Sequence, residues 1–230
     1  MNLRKCVLCA LLSGEIVFSL LGYSPTFAAP IELGVVAHQN EGQTLKNYSL
    51  NFDADKNYTT ETLSLNGEAV KFRAYRNIVY VAHPKSILSQ SMNIFIPAAY
   101  FENGIINGFT RETAPIFMPN GVGGYMPGKA GEPQEKDRMT GKANAVLTAL
   151  SRGYVVAAPA IRGRTTWGDD GKTYVGKAPA FIVDYKAAVR YLRYNQRNLP
   201  AGNTEKIISN GTSVGGALSA LLGATGNAKE

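Results

Sequence analysis

The sequence predicts an α/β fold: antiparallel strands that lead into a mainly parallel sheet with flanking helices. Three observations predict it. Segments after Glu68 alternate with a period near two. Later, short unbroken apolar runs alternate with helical stretches. Finally, a Gly-x-Ser-x-Gly segment sits between one of those runs and a helix.

The elements follow in order. Ala69–Tyr75 and, less cleanly, Ile78–Val81 read as strands, and Ser91–Pro97 as a third. These predict sequential antiparallel pairing. The next runs are 114–118, closed by Pro119-Asn120-Gly121, then 153–159, then 206–210. Such runs suit parallel strands buried on both faces. Helices are predicted over about 141–152, 181–195 and 214–223. In the second, Phe181, Tyr185, Ala188, Val189 and Leu192 share one face. Lys186, Arg190, Arg193 and Arg197 lie opposite, as a solvated basic stripe or a surface for acidic groups. Right-handed crossovers then build the order expected of an α/β-hydrolase, cut just after its third helix.

The start of the chain has a different character. Arg4 and Lys5 precede an apolar stretch from about Val7 to Leu21, then Ser24-Pro25-Thr26-Phe27-Ala28-Ala29. That order is a secretory signal peptide, with cleavage expected after Ala28. Residues 1–28 are therefore read as the signal and 29–230 as the N-terminal part of a catalytic domain, destined for secretion. The apolar stretch is short and interrupted, so no membrane span is expected once it is removed. Both cysteines, Cys6 and Cys9, lie inside it, which excludes disulfides, zinc-thiolate sites and a cysteine nucleophile from the remainder. The net charge of +7 is scattered, with no aromatic-interleaved basic groove, so no nucleic-acid partner is expected. No cofactor or metal is expected either. Asp169-Asp170 reads as a turn, and Trp167 beside it covers a cleft or packs.

The chemistry centres on Asn210-Gly211-Thr212-Ser213-Val214-Gly215-Gly216. In a strand–turn–helix setting, Ser213 is the candidate nucleophile. Glycines two before and two after it let strand and helix approach. The turn also places Ser213 at a helix N-terminus, where free N–H groups favour negative charge. An oxyanion hole needs two N–H donors. Val214, next after the serine, is one. The other is expected in Asn120-Gly121-Val122-Gly123-Gly124-Tyr125, with Gly124 ahead of Gly123. Arg162 and Arg164, in the segment after the run 153–159, are candidates to bind a substrate carboxylate or phenolate. The alternative is that one of them braces neighbouring loops. In this fold an Asp or Glu and then a His follow the serine. After Ser213 come no His, no Asp and only Glu230 as an acid. His38 and His83 both precede it, and His83 reads as a turn residue. The expectation is that this chain by itself has no base for its serine.

At these residues the chain resembles bacterial tannases, the tannin acyl hydrolases. The resemblance runs through Tyr75–Pro84, Asn93–Tyr100, Thr113–Tyr125, Ile161–Thr166, Ala178–Asp184 and Asn210–Ala217. It implies hydrolysis of galloyl ester and depside bonds in a small-molecule polyphenol, with release of gallic acid. It places the family's nucleophile at Ser213 and its oxyanion donors at Gly124 and Val214. The family's acid, histidine, lid and galloyl-gripping residues would lie beyond Glu230. Two alternatives stand beside it: a carboxylesterase for feruloyl or other aryl esters, and a truncated remnant without catalysis.

Overall fold

A computed structural model describes residues 47–226; the signal-peptide expectation and His38 lie outside them. The described strands form one six-stranded sheet: β1 (Tyr58–Leu65), β2 (Glu68–Val79), β3 (Ser91–Pro97), β4 (Pro115–Asn120), β5 (Val155–Pro159) and β6 (Asn203–Gly211). Their order across the sheet is β1-β2-β3-β5-β4-β6. The first three pair antiparallel, β3 meets β5 antiparallel, and β4 runs parallel to both β5 and β6. The expected mixed sheet of an α/β-hydrolase is thus present.

The first strand was not anticipated. β1 joins β2 through Asn66-Gly67, whose φ values are 53° and 87°. Positive φ at both central residues makes the tight turn whose twist matches a hairpin. The Asn-Gly pair was the missed signal. A Cβ on Gly67 would touch nothing within 4 Å, so only backbone strain opposes it. Gly67→Ala is expected to destabilise the fold by about 1 kcal/mol, read as a lowered denaturant midpoint.

The two strands expected over 69–81 are one, β2, with its register shifting between Tyr75 and Ile78. The irregularity turns Arg76 outward between two carboxylates, Glu61 at 2.6 Å and Glu132 at 2.9 Å. Asn93 holds the kink, its Oδ1 accepting from the Asn77 amide at 3.1 Å.

Side chains alternate across the sheet as a strand's period of two requires. On β3, Met92, Ile94 and Ile96 face one side and Phe95 the other; on β5, Val155 and Ala157 oppose Val156 and Ala158. The helix α1 (Ala145–Ser151) covers the Phe95 side through Leu147 and Leu150. The helix α2 (Ala180–Tyr194) covers the Ile94 side through Ala188, Tyr191 and Leu192. The helix α3 (Val214–Ala224) joins that side through Leu218. Burial on both faces explains the unbroken apolar runs of β4 and β5, where each large side chain contributes about 1.5–3 kcal/mol relative to exposure; the run 206–210 of β6 does not meet that expectation, being exposed or half-buried at the edge of the sheet.

Two helix boundaries differ from expectation. α1 starts at Ala145 because Asn144 caps it, its side chain accepting from the Leu147 amide at 3.0 Å, while Gly141 has a φ of 67°. α2 ends at Tyr194, so Arg197 leaves the basic stripe; Arg193 lies 3.8 Å from Glu205. The chain just before β1 is packed as well. Phe52 is buried, and Asn195 holds the Phe52 amide and the Leu50 carbonyl at 2.8 Å each.

Candidate active site

The parallel strands deliver the candidate residues to one edge of the sheet. β4 lies between β5 and β6, and its last residue, Asn120, is in register with Gly211, the last of β6. Ser213 follows two residues after Gly211, Gly124 four after Asn120, and Arg162 three after the end of β5. All leave the C-terminal ends of adjacent strands, where ligands bind in open α/β sheets.

Ser213 has φ 56° and ψ −123°, a strained conformation for a residue with a Cβ. Its hydroxyl is exposed and makes no hydrogen bond to the described residues. The sharp turn requires close packing of strand and helix. A Cβ on Gly211 would lie 2.4 Å from the Gly215 carbonyl carbon, and a Cβ on Gly215 would lie 2.6 Å from the Asn120 carbonyl oxygen. Both obstacles are backbone, which cannot step aside as a side-chain tip can. Gly215→Ala is therefore expected to push α3 off β4 and destabilise the fold by about 1–3 kcal/mol. Thermal melting, with labelling of Ser213 by a fluorophosphonate, checks it; an unshifted melt with full labelling would contradict it.

Val214 is the first residue of α3, and Gly124 sits in a tight turn closed by the Met126 amide on the Gly123 carbonyl at 2.9 Å. Gly124 and Tyr125 have φ values of 55° and 60°. Neither the Gly124 nor the Val214 amide has an acceptor among the described residues.

The loop that carries Gly124 is braced from behind by the segment after β5. Gly128 and Ile161 exchange two backbone hydrogen bonds, and the Arg164 amide donates to the Tyr125 carbonyl at 2.7 Å. Gly163 lies against the backbone of Met126 and Pro127, where a Cβ would come within 2.4 Å. The Tyr185 hydroxyl, its phenol pushed up by burial, donates to the Pro119 carbonyl at 2.9 Å. Tyr125 also packs on Phe181, ring centroids 5.6 Å apart.

The two arginines part company here. The Arg162 guanidinium is engaged by Asp184, at 2.9 Å from Nε and 2.7 Å from Nη2. The same carboxylate accepts from the Arg162 amide at 3.0 Å and from Gln90 at 2.9 Å. That geometry is the bracing alternative. Arg164 is exposed, its Nε 3.3 Å from Met126 Sδ. Near it, Trp167 and Tyr174 form an exposed edge-to-face pair at 5.7 Å, and the Tyr174 hydroxyl donates to the Arg164 carbonyl. Asp169 and Asp170 shape this hairpin. Asp169 accepts from the Ile87 amide, and Asp170 from Lys172 and Thr173. The Thr173 hydroxyl and these amides pull the Asp170 carboxyl down to about 2.

Asp184 and Asn120 had no role in the sequence reading. The signal for Asp184 was its position on the 184, 188, 191 stripe of α2, all buried. An acid on an apolar face needs a buried partner. Asn120 carries no such signal, since an asparagine between Pro119 and Gly121 reads as an ordinary turn residue.

No base meets the serine among the described residues. His83 is exposed in the bend after β2, and no hydrogen bond joins Ser213 to a histidine or a carboxylate. No three His, Cys, Asp or Glu side chains there group to hold a metal, and no helix there is long and apolar enough to cross a membrane.

Comparison with known proteins decides the family. The Fusobacterium nucleatum tannase structure is 55% identical, with a TM-score of 0.74 over 78% of this chain and 36% of that one. The native tannin acyl hydrolase from Lactobacillus plantarum is 52% identical, with a TM-score of 0.69 over 76% of this chain and 37% of that one. The chain belongs to the bacterial tannases. A tannin acyl hydrolase solved with ethyl gallate is also 52% identical over 76% of this chain, at a TM-score of 0.69, with 38% of that chain covered. The chain therefore spans little more than a third of the tannases it matches. A family model, BD-FAE, an α/β-hydrolase type, matches residues 123–230. No curated protein matches.

Proposed function

We propose that this chain carries the nucleophile and oxyanion hole of a secreted serine esterase that cleaves galloyl ester and depside bonds and releases gallic acid. The observation that carries the proposal is the strained, exposed Ser213 at the head of α3. Two acceptor-free amides, Val214 and Gly124, leave the ends of neighbouring strands. Membership of the tannases supplies the substrate class. Ser213 Oγ attacks the galloyl carbonyl and passes its proton to a histidine supplied from outside residues 47–226. The Val214 and Gly124 amides hold the oxygen that becomes negative. The proton then goes to the departing alcohol. Water attacks the acyl-enzyme and gallic acid leaves.

In this proposal Arg164, with Trp167 and Tyr174, faces the polyphenol, while Arg162 supports the loop instead of binding substrate. Export rests on the signal pattern of residues 1–28. The BD-FAE match supports a second reading, an aryl-ester carboxylesterase of the same fold. Expression of the longest reading frame that contains this sequence, assayed on methyl gallate and methyl ferulate, separates the two. Gallate release that exceeds ferulate release and disappears in Ser213→Ala supports the first. Preference for ferulate supports the second. Full activity in Ser213→Ala would overturn both.

A further inference from the structure

Asn120 touches both halves of the oxyanion hole. It is the last residue of β4 and is buried. Its carbonyl oxygen is the backbone surface against which Gly215 of α3 rests; a Cβ there would fall 2.6 Å away. One helical turn further along the same face of α3, Ser219 Oγ lies 3.5 Å from Asn120 Nδ2. Ser219 is tied in turn to Ser209 of β6 at 2.8 Å. The other end of the amide points to the loop. Asn120 Oδ1 accepts from the Val122 amide at 3.3 Å, two residues before Gly124.

One side chain therefore contacts the helix that presents the Val214 amide and the loop that presents the Gly124 amide. We infer that Asn120 is a positioning residue that sets the separation and aim of the two oxyanion donors. This inference rests on the proposal that Val214 and Gly124 form the oxyanion hole. The physical logic is that a donor contributes in proportion to how well it is aimed at the oxygen as charge develops there. Ground-state binding of the ester does not use that aim, so loss of Asn120 shows in kcat and spares KM. A carbonyl contact alone would survive any substitution at 120. The amide group is what links loop and helix, and only a side-chain change removes it.

The test uses the polypeptide from the longest reading frame containing this sequence. A fluorophosphonate probe must first label the wild type and spare Ser213→Ala; failure to label Ser213 would sink the nucleophile assignment, and this inference with it. With labelling established, folded Asn120→Ala is expected to lose kcat on methyl gallate by about 10- to 100-fold, with KM within about twofold. An aryl boronic acid, which forms a tetrahedral adduct on the serine, is expected to bind Asn120→Ala more weakly by a similar factor. Asn120→Ser keeps a shorter acceptor for the amide two residues on and should recover part of kcat, leaving a loss of about 3- to 10-fold. Wild-type kcat in folded Asn120→Ala, or a defect confined to KM, overturns the inference while leaving Ser213 as nucleophile. If Asn120→Ala does not fold, wild-type kcat in folded Asn120→Ser overturns it instead.

Discussion

Ser213→Ala is expected to abolish turnover of methyl gallate in the longest encoded polypeptide, by a factor on the order of 10⁴–10⁶. Removal of the hydroxyl leaves the carbonyl with no protein nucleophile. The Val214 and Gly124 amides proposed as oxyanion donors remain, so a small residual rate over water is expected. The mutation should leave the backbone strain in place. Ser213 is held at φ 56° and ψ −123°, where any side chain is costly, and alanine keeps that Cβ cost while losing an exposed hydroxyl with no described partner. Stability should therefore change little, and Ser213→Gly should be more stable than wild type by about 1 kcal/mol. Equal melting temperatures for Ser213→Gly and wild type would show that the strain is not stored there. Parallel measurement of melting and gallate release separates a chemical defect from a folding one.

Asp184→Asn is expected to cost about 3–5 kcal/mol of stability. Asp184 is fully buried and accepts four hydrogen bonds, three of them from Arg162. The Arg162 side chain is only 13% exposed. Asparagine preserves the shape but withdraws the charge that compensates the guanidinium, and turns one acceptor into a donor facing other donors. Most of the cost is the stranded cation, so Asp184→Asn combined with Arg162→Met should be much less harmful than the sum of the two single changes. Chemical denaturation of the four proteins measures the coupling. Strict additivity would mean that the pair contributes nothing as a unit. Because Arg162 follows β5 immediately before Gly163, which lies against Met126 and Pro127, the same substitution should lower activity through the loop that carries Gly124.

Much of this architecture was legible in linear sequence because its signals are local. The unbroken apolar runs at β4 and β5 require only that both faces be covered, and α1 and α2 cover them. The Gly-x-Ser-x-Gly segment names its own geometry, since Gly211 and Gly215 stand where a Cβ would strike backbone. Where local signals conflicted, the reading failed. β2 was split in two because a register shift between Tyr75 and Ile78 breaks the period-two pattern without ending the strand. β1 gives a weak apolar rhythm because its exposed face carries Thr60, Thr62 and Ser64 and its half-buried face holds Glu61 before Leu63 and Leu65.

At the edge of the sheet the pattern is incomplete for another reason. Ile208 of β6 is 42% exposed, on the face that α1 covers further along the sheet, and β6 has no strand partner on its far side among the described residues. An exposed apolar edge of this kind invites association.

The order of strands and helices followed from the sequence, and so did the strand–turn–helix setting that makes Ser213, Val214 and Gly124 the candidate residues. Each depends on residues close together in the chain, where glycine spacing and hydrophobic period dictate backbone shape. The pairing of Arg162 with Asp184, 22 residues apart, did not follow, nor did the reach of Asn120 to Ser219, 99 residues on. An arginine in a loop reads the same whether it grips a substrate or a buried carboxylate. Which it grips depends on what the packing of α2 against β4 and β5 brings within hydrogen-bonding distance, and that packing is a property of the assembled layers.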